Sequence, residues 1–124
     1  FLGYISDKKY LAQIIASADI SIAPGPIETF CLAALESLAS GTPVVCSETS
    51  AVGEFLLLQS KEPVGLAAAN NGKAFAQAIT ELLARLDSEL TLRSSCHHQA
   101  ENFPWSSTIS QMLSLSSQRR LRVA

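Results

Sequence analysis

The sequence predicts an α/β fold, a parallel sheet flanked by helices, on three observations. Short apolar runs alternate with longer segments of helical composition along the chain. Two of those runs, Asp19–Ile22 and Pro43–Val45, are apolar enough to be central parallel strands. Each is followed by a loop-forming segment, 24–29 and 47–52, at the carboxyl edge where open α/β sheets hold ligands.

The elements follow in order. Phe1–Tyr4 reads as a first strand and Lys8–Ser17 as a helix whose Lys8 and Lys9 form a solvated face. After strand Asp19–Ile22, Pro24, Gly25 and Pro26 forbid regular structure and make a tight loop. Thr29 is a candidate N-cap for a helix over Phe30–Ser40, and Gly41 stands where a left-handed residue ends a helix. Pro43–Val45 is the next strand, Gly53–Leu57 a short helix and Gly65–Ala67 a fourth strand. Gly72–Leu86 repeats Ala, Phe and Leu at core-facing spacing; Ser88–Asn102 and Ser106–Leu121 complete the helices. The last is serine-rich but carries Ile109, Met112, Leu113 and Leu115, so it reads as helix rather than linker.

Composition narrows the function. The 124 residues are 48% hydrophobic with a net charge of −2, which suits one domain with a real core. That balance argues against nucleic acid or an anionic membrane as the main partner of the segment. No apolar run reaches the roughly 18 residues of a membrane span. Cys31, Cys46 and Cys96 are odd in number and lack C-x-x-C spacing, so reduced thiols of a cytoplasmic protein are expected, without disulfides or zinc. Neighbours in Cys96-His97-His98 diverge on a helix, which disfavours a metal there. The basic tail 118–122 reads as a helix end complementing its own dipole.

The chemistry concentrates at Glu28 and Glu36, separated by seven almost wholly apolar residues. The amides of Phe30, Cys31 and Leu32 lead the helix without carbonyl partners and could hold an anion such as a diphosphate. Counted as helix, the two carboxylates stand on the order of 12 Å apart, similar to the spacing of two sugars across a diphosphate. Vicinal hydroxyls of either sugar can donate to an ionised carboxylate. Glu28 has a plainer reading as a first-turn acid favoured by the helix dipole. Glu36, ringed by Phe30, Leu32, Ala33, Ala34, Leu35, Leu38 and Ala39, reads as a buried carboxylate in need of partners, or else as a solvated edge residue.

The run from Pro26 to Ser47 resembles the E-x7-E signature of the family 4 retaining glycosyltransferases: acid, Phe, apolar helix, Glu, then Gly-Thr-Pro-Val-Val. Its detail is most similar to bacterial α-mannosyltransferases. Thr29 and Cys31 stand where glycine is commoner, which puts in question how closely the backbone approaches the sugar. Phe1–Ser6, Leu11–Ala23, Ala51–Leu56 and Phe103–Ser106 extend the resemblance over most of the chain.

The resemblance implies a Rossmann-like donor domain of the GT-B fold, spanning 1–124 but partial. The N-terminal acceptor domain and the opening strands of the donor domain, with their basic pair, would lie outside it, so the piece is expected to be inactive alone. The implied activity is retaining transfer of a hexose from a nucleotide-diphosphate sugar, GDP-mannose first and UDP-sugars next, to a lipid or glycan acceptor. Glu28 would be the catalytic carboxylate at the transferred sugar, Glu36 would hold the ribose, and Thr29, Phe30, Cys31 and Leu32 would line the donor phosphates. Gly3, Tyr4 and Ile5 would pass beside the nucleobase. No metal or other cofactor is implied. Membrane association would belong to the whole protein, and an exposed sheet edge could pair two copies. Readings from other classes are a dinucleotide enzyme, for which no G-x-G-x-x-G follows a strand, and a non-catalytic nucleotide-sugar-binding partner domain.

Overall fold

The computed structural model describes residues 1–54 and 63–120. Three parallel strands form the sheet in the order β1 (Ser21–Ala23), β2 (Val44–Ser47), β3 (Gly65–Ala68). Ser21 pairs with Val44 and Val44 with Gly65, so the three strands end at one common edge. All four residues of β2 are buried, as a strand covered on both faces requires. Around the sheet lie α1 (Lys8–Ser17), α2 (Leu32–Ala39), α3 (Gly72–Ser88), α4 (Leu92–Ala100) and α5 (Trp105–Arg120).

The core is built from Leu38, Val44, Val45, Cys46, Val52, Val64, Leu82, Leu92 and Cys96, none more than 1% exposed. Helix α2 packs on β1, β2 and α4; α3 packs on β2, β3 and α4. Ser37 is the polar residue on the buried face of α2. Its hydroxyl donates to the Ala33 carbonyl (2.8 Å) and lies 2.9 Å from the Ser21 hydroxyl, which links the helix to β1.

Local signals explain most of the element ends. The Asp7 carboxylate accepts from the amides of Lys9 and Tyr10 and starts α1. Asn71 does the same for α3 through the Ala74 amide. Gly41 takes φ +78°, and the bonds Gly41 N to Leu38 O and Thr42 N to Ser37 O close α2 as a Schellman motif. The expected left-handed glycine is therefore present. Arg93 of α4 donates to the carbonyls of Ala18 and Gly41, fastening the ends of α1 and α2 to one guanidinium.

Three expectations change. Phe1–Tyr4 is not a strand: it pairs with no strand among the described residues, and Phe1, Leu2 and Tyr4 are exposed. The helix expected over Phe30–Ser40 starts at Leu32 and ends at Ala39. The helix expected over Ser88–Asn102 shrinks to Leu92–Ala100 because α3 runs on to Ser88, where Arg85 grips Glu89 (2.8 Å) and the Pro63 carbonyl. That grip holds the Glu89 carboxyl below its ordinary range through the Arg85 hydrogen bond. For Gly53–Leu57, a helical turn is present at 51–54, while residues 55–57 lie outside the described part. The basic tail 118–122 also lies outside the described side chains.

Helix α5 agrees with the helix read over Ser106–Leu121, up to Arg120. Its Trp105, Ile109, Met112, Leu113 and Leu115 are all exposed. The outer edge of β1 has no strand beside it among the described residues, and Ile22 there is half exposed. No described helix is long and apolar enough to cross a membrane.

Candidate functional site

Because the three strands are parallel, the loops leaving β1, β2 and β3 gather at one edge of the sheet. The loop after β1 holds Glu28. It contains Pro24 and Pro26, which have no N–H to donate, so it is held largely from outside. The Thr49 hydroxyl donates to the Pro26 carbonyl (2.9 Å), and the Ala51 amide donates to the Glu28 carbonyl (3.0 Å). Gly25 leaves room for the Glu28 side chain. A Cβ at that position would lie 2.8 Å from Glu28 Oε1 and 3.0 Å from its Cγ, so the acid side chain folds back over bare backbone.

Cys31, not Thr29, is the N-cap of α2. Its carbonyl accepts from Ala34 N (3.1 Å) and Leu35 N (3.3 Å), and its side chain makes no capping bond. The expected Thr29 cap fails because a capping hydroxyl must sit next to the first turn, and Thr29 is two residues too early. Cys31 adopts φ +56°, ψ 79°, the single non-glycine residue with positive φ among those described. Such a backbone costs a side-chain-bearing residue about 1–2 kcal/mol. The strained residue sits where the loop turns into the helix that carries Glu36.

The shifted start changes the amide set. Leu32 and Ala33 lead the helix, while Phe30 and Cys31 belong to the loop. Only Leu32 to Glu36 rises helically, about 6 Å, so the helical spacing assumed for the whole Glu28–Glu36 interval does not apply. Glu36 is exposed, as are Phe30, Leu32, Ala33 and Ala39; the buried face of α2 is Ala34, Ser37 and Leu38. The expectation of a buried Glu36 is thus corrected in favour of the solvated edge, because α2 turns only one face to the sheet. Glu28 is exposed too. Among the described residues neither carboxylate has a hydrogen-bond donor or a cation as partner. Two exposed carboxylates without a described protein partner therefore stand before and after the leading amides of α2 in the sequence, with capacity to accept from a polyhydroxyl ligand.

Gly3, Tyr4 and Ile5 lie in the irregular segment before α1; Gly3 has φ +71° and Tyr4 is 94% exposed. The structure does not bring Tyr4 against the loop. On the opposite flank, Phe30 meets Phe103 edge-to-face at 6.2 Å and 75°. With Leu32, Leu35, Pro104 and Trp105 they line an open cleft of about 310 Å³.

Sequence reasoning missed one group. Asn70, just past β3, contacts both Ser47 and Thr49 at the same sheet edge.

The metal reading of Cys96-His97-His98 finds other partners. Cys96 points inward to the Val64 carbonyl (3.7 Å), His97 contacts the Ala39 carbonyl (2.8 Å) and His98 meets Glu101 (3.1 Å). Burial pushes the Cys46 thiol up to about 11 and the Cys96 thiol up to about 12. Iodoacetamide at pH 8 should accordingly label the partly exposed Cys31 of the native protein and spare the other two until unfolding, as mass spectrometry can read. Folding raises both pKa values, so the associated stability is complete below the ordinary thiol pKa near 9 and is lost as pH climbs through 11. Labelling of Cys46 at the rate of Cys31 would sink this expectation.

With that geometry in hand, comparisons with known proteins identify the lineage. The family model described as glycosyl transferases group 1 matches residues 1–85, over half the chain. The chain belongs to the group 1 glycosyltransferases. A GDP-mannose-dependent alpha-(1-6)-phosphatidylinositol dimannoside mannosyltransferase of Mycobacterium tuberculosis is 44% identical over 113 residues, 91% of this chain and 28% of the relative. A D-inositol 3-phosphate glycosyltransferase of Mycobacteroides abscessus is 37% identical, over 86% of this chain and 23% of the relative. Among solved structures, a sucrose-phosphate synthase from Thermosynechococcus elongatus superposes with a TM-score of 0.82 at 29% identity, covering 98% of this chain and 30% of that one. The three parallel strands and their helices are those of the GT-B glycosyltransferases. This glycosyltransferase chain spans less than a third of the length of these relatives.

Proposed function

We propose that these residues carry the donor half-site of a retaining hexosyltransferase that moves mannose from GDP-mannose to a lipid or glycan acceptor. The observation that carries this reading is the pair of partnerless carboxylates, Glu28 and Glu36, placed on either side of the leading amides of α2. In it Glu36 holds the ribose hydroxyls and Glu28 those of the transferred sugar. The amides of Leu32 and Ala33, with the loop backbone at Thr29, Phe30 and Cys31, face the diphosphate and stabilise charge on the departing group. No metal is needed where a helix end and basic groups do that work. Those basic groups and the acceptor domain belong to the rest of the protein, so the piece is inactive by itself. The protein is cytoplasmic and meets a lipid acceptor at the membrane surface. Mannose and GDP are favoured because the similar mycobacterial enzyme is named for both.

The test is an amide-resolved NMR titration with GDP, UDP and GDP-mannose, paired with a transfer assay on the protein encoded by the whole gene. Shifts at Gly25–Glu36 and Ser47–Gly53 that vanish in Glu36→Ala, with GDP-mannose consumed and an α-linked product formed, are expected. Binding without turnover in the whole protein would make it a partner domain. Absence of binding by the whole protein would overturn the reading.

A further inference from the structure

We infer that Asn70 and Thr49 are positioning residues that set the loop bearing Glu28, an inference that takes the proposed transfer as its frame. Pro24 and Pro26 have no N–H, which takes two donors away from the loop. Two outside bonds hold it, Thr49 Oγ1 to the Pro26 carbonyl and Ala51 N to the Glu28 carbonyl, one on each side of Ile27. The first is fixed by a relay with one consistent proton arrangement. A carbonyl only accepts, so the Thr49 hydroxyl proton is committed to Pro26. Thr49 Oγ1 then serves as acceptor toward its two other neighbours, Asn70 Nδ2 and Ser47 Oγ, each at 3.0 Å, and the Asn70 amide donates to it. That turns Asn70 Oδ1 toward Ser47, whose fully buried hydroxyl donates to it. Ser47 Oγ in turn accepts the Thr49 amide at 3.2 Å. Flipping the Asn70 amide would set its oxygen against a hydroxyl whose proton is already used.

The relay joins the ends of all three strands. Ser47 ends β2 and pairs with Ala68, which ends β3; Asn70 follows two residues later; Pro26 follows β1. The sheet edge thereby specifies where the Glu28 backbone sits relative to α2. Misplacing a group that contacts a reacting substrate by a fraction of a bond length costs rate more than ground-state binding. Asn70 and Thr49 need touch no substrate to have this effect.

Four variants test it in the protein encoded by the whole gene. Thr49→Val removes the hydroxyl and keeps the shape, Thr49→Ser restores it, Asn70→Asp keeps the acceptor and removes the donor, and Asn70→Ala removes both. Thr49→Val and the two Asn70 variants should lower kcat about tenfold with the donor KM within about threefold of wild type, since Glu36 and the helix amides are untouched. Hydrogen exchange at the Ala51 amide should accelerate in the same variants, melting temperatures should hold, and Thr49→Ser should resemble wild type. Wild-type exchange at Ala51 in Thr49→Val, or equal impairment of Ser and Val, overturns the inference. A wild-type protein that transfers no sugar would overturn the functional reading alone, because faster Ala51 exchange in Thr49→Val would still show the relay bracing the loop.

Discussion

Replacing Glu28 by Gln is expected to lower kcat/KM for sugar transfer about 100-fold while leaving the melting temperature unchanged. Each hydrogen bond to an ionised acceptor is worth about 1.5–3 kcal/mol, and a vicinal diol donates two, so losing the charge removes on the order of 3 kcal/mol. The loss should fall mainly on kcat, since the transferred sugar changes most between ground and transition states. Glu36→Ala should act differently. A ribose contact is equally strong in both states, so the donor KM should rise tenfold or more at nearly constant kcat. Stability should be spared in both because neither exposed carboxylate has a described protein partner to lose. Steady-state kinetics on the whole protein separates the cases. A Glu28→Gln enzyme with unimpaired turnover would leave Glu28 an ordinary exposed acid of the loop before α2.

The chain shows its fold class openly and its site geometry only in part. Strand β2 and the Gly41 stop were legible because Pro43–Val45 is apolar at every position and a left-handed residue is rarely anything but glycine. The E-x7-E run singles out Glu28 and Glu36 by residue type and spacing, and both are exposed without a described protein partner. What failed depended on information outside the local sequence. A strand at Phe1–Tyr4 needs a neighbour to pair with, and composition does not say whether one is present. Thr29 has the right chemistry for a cap, but the helix starts where Cys31 is held in a left-handed conformation, a choice made by tertiary context against local preference. Apolar neighbours favour a buried Glu36 in the sequence, with a solvated edge as the alternative, and the structure has the edge. The apolar residues at Phe30, Leu32, Ala33 and Ala39 prove to be exposed, so hydrophobic neighbours in sequence did not mean a buried environment. The Asn70 relay was invisible for the plainest reason: its partners are more than 20 residues away.

Leu38→Ala should destabilise the fold by about 2–5 kcal/mol, the range for emptying a leucine-sized site in a closed core. Leu38 is 0% exposed and sits in the buried cluster with Ala34, Val44 and Val45, under the helix that carries Glu36. Its carbonyl also accepts the Gly41 amide that closes α2. Truncation therefore leaves a cavity beside the link between core and site rather than at a compliant rim. Domains of this size are stable by about 5–15 kcal/mol, so the loss is a large share of the total. Leu113→Ala is the matched control: the same atoms leave α5, where the side chain is 64% exposed, and the change should stay within about 0.5 kcal/mol. Urea midpoints at unchanged slope would measure both. The coupling of core to site makes a second demand. If α2 is seated by Leu38, the variant should also weaken nucleotide-sugar binding at temperatures where it is still folded, because the amides of Leu32 and Ala33 and the carboxylate of Glu36 move with the helix. A Leu38→Ala protein with lowered stability and wild-type affinity would show instead that α2 is positioned by its ends, through Arg93 at Gly41 and the Cys31 turn.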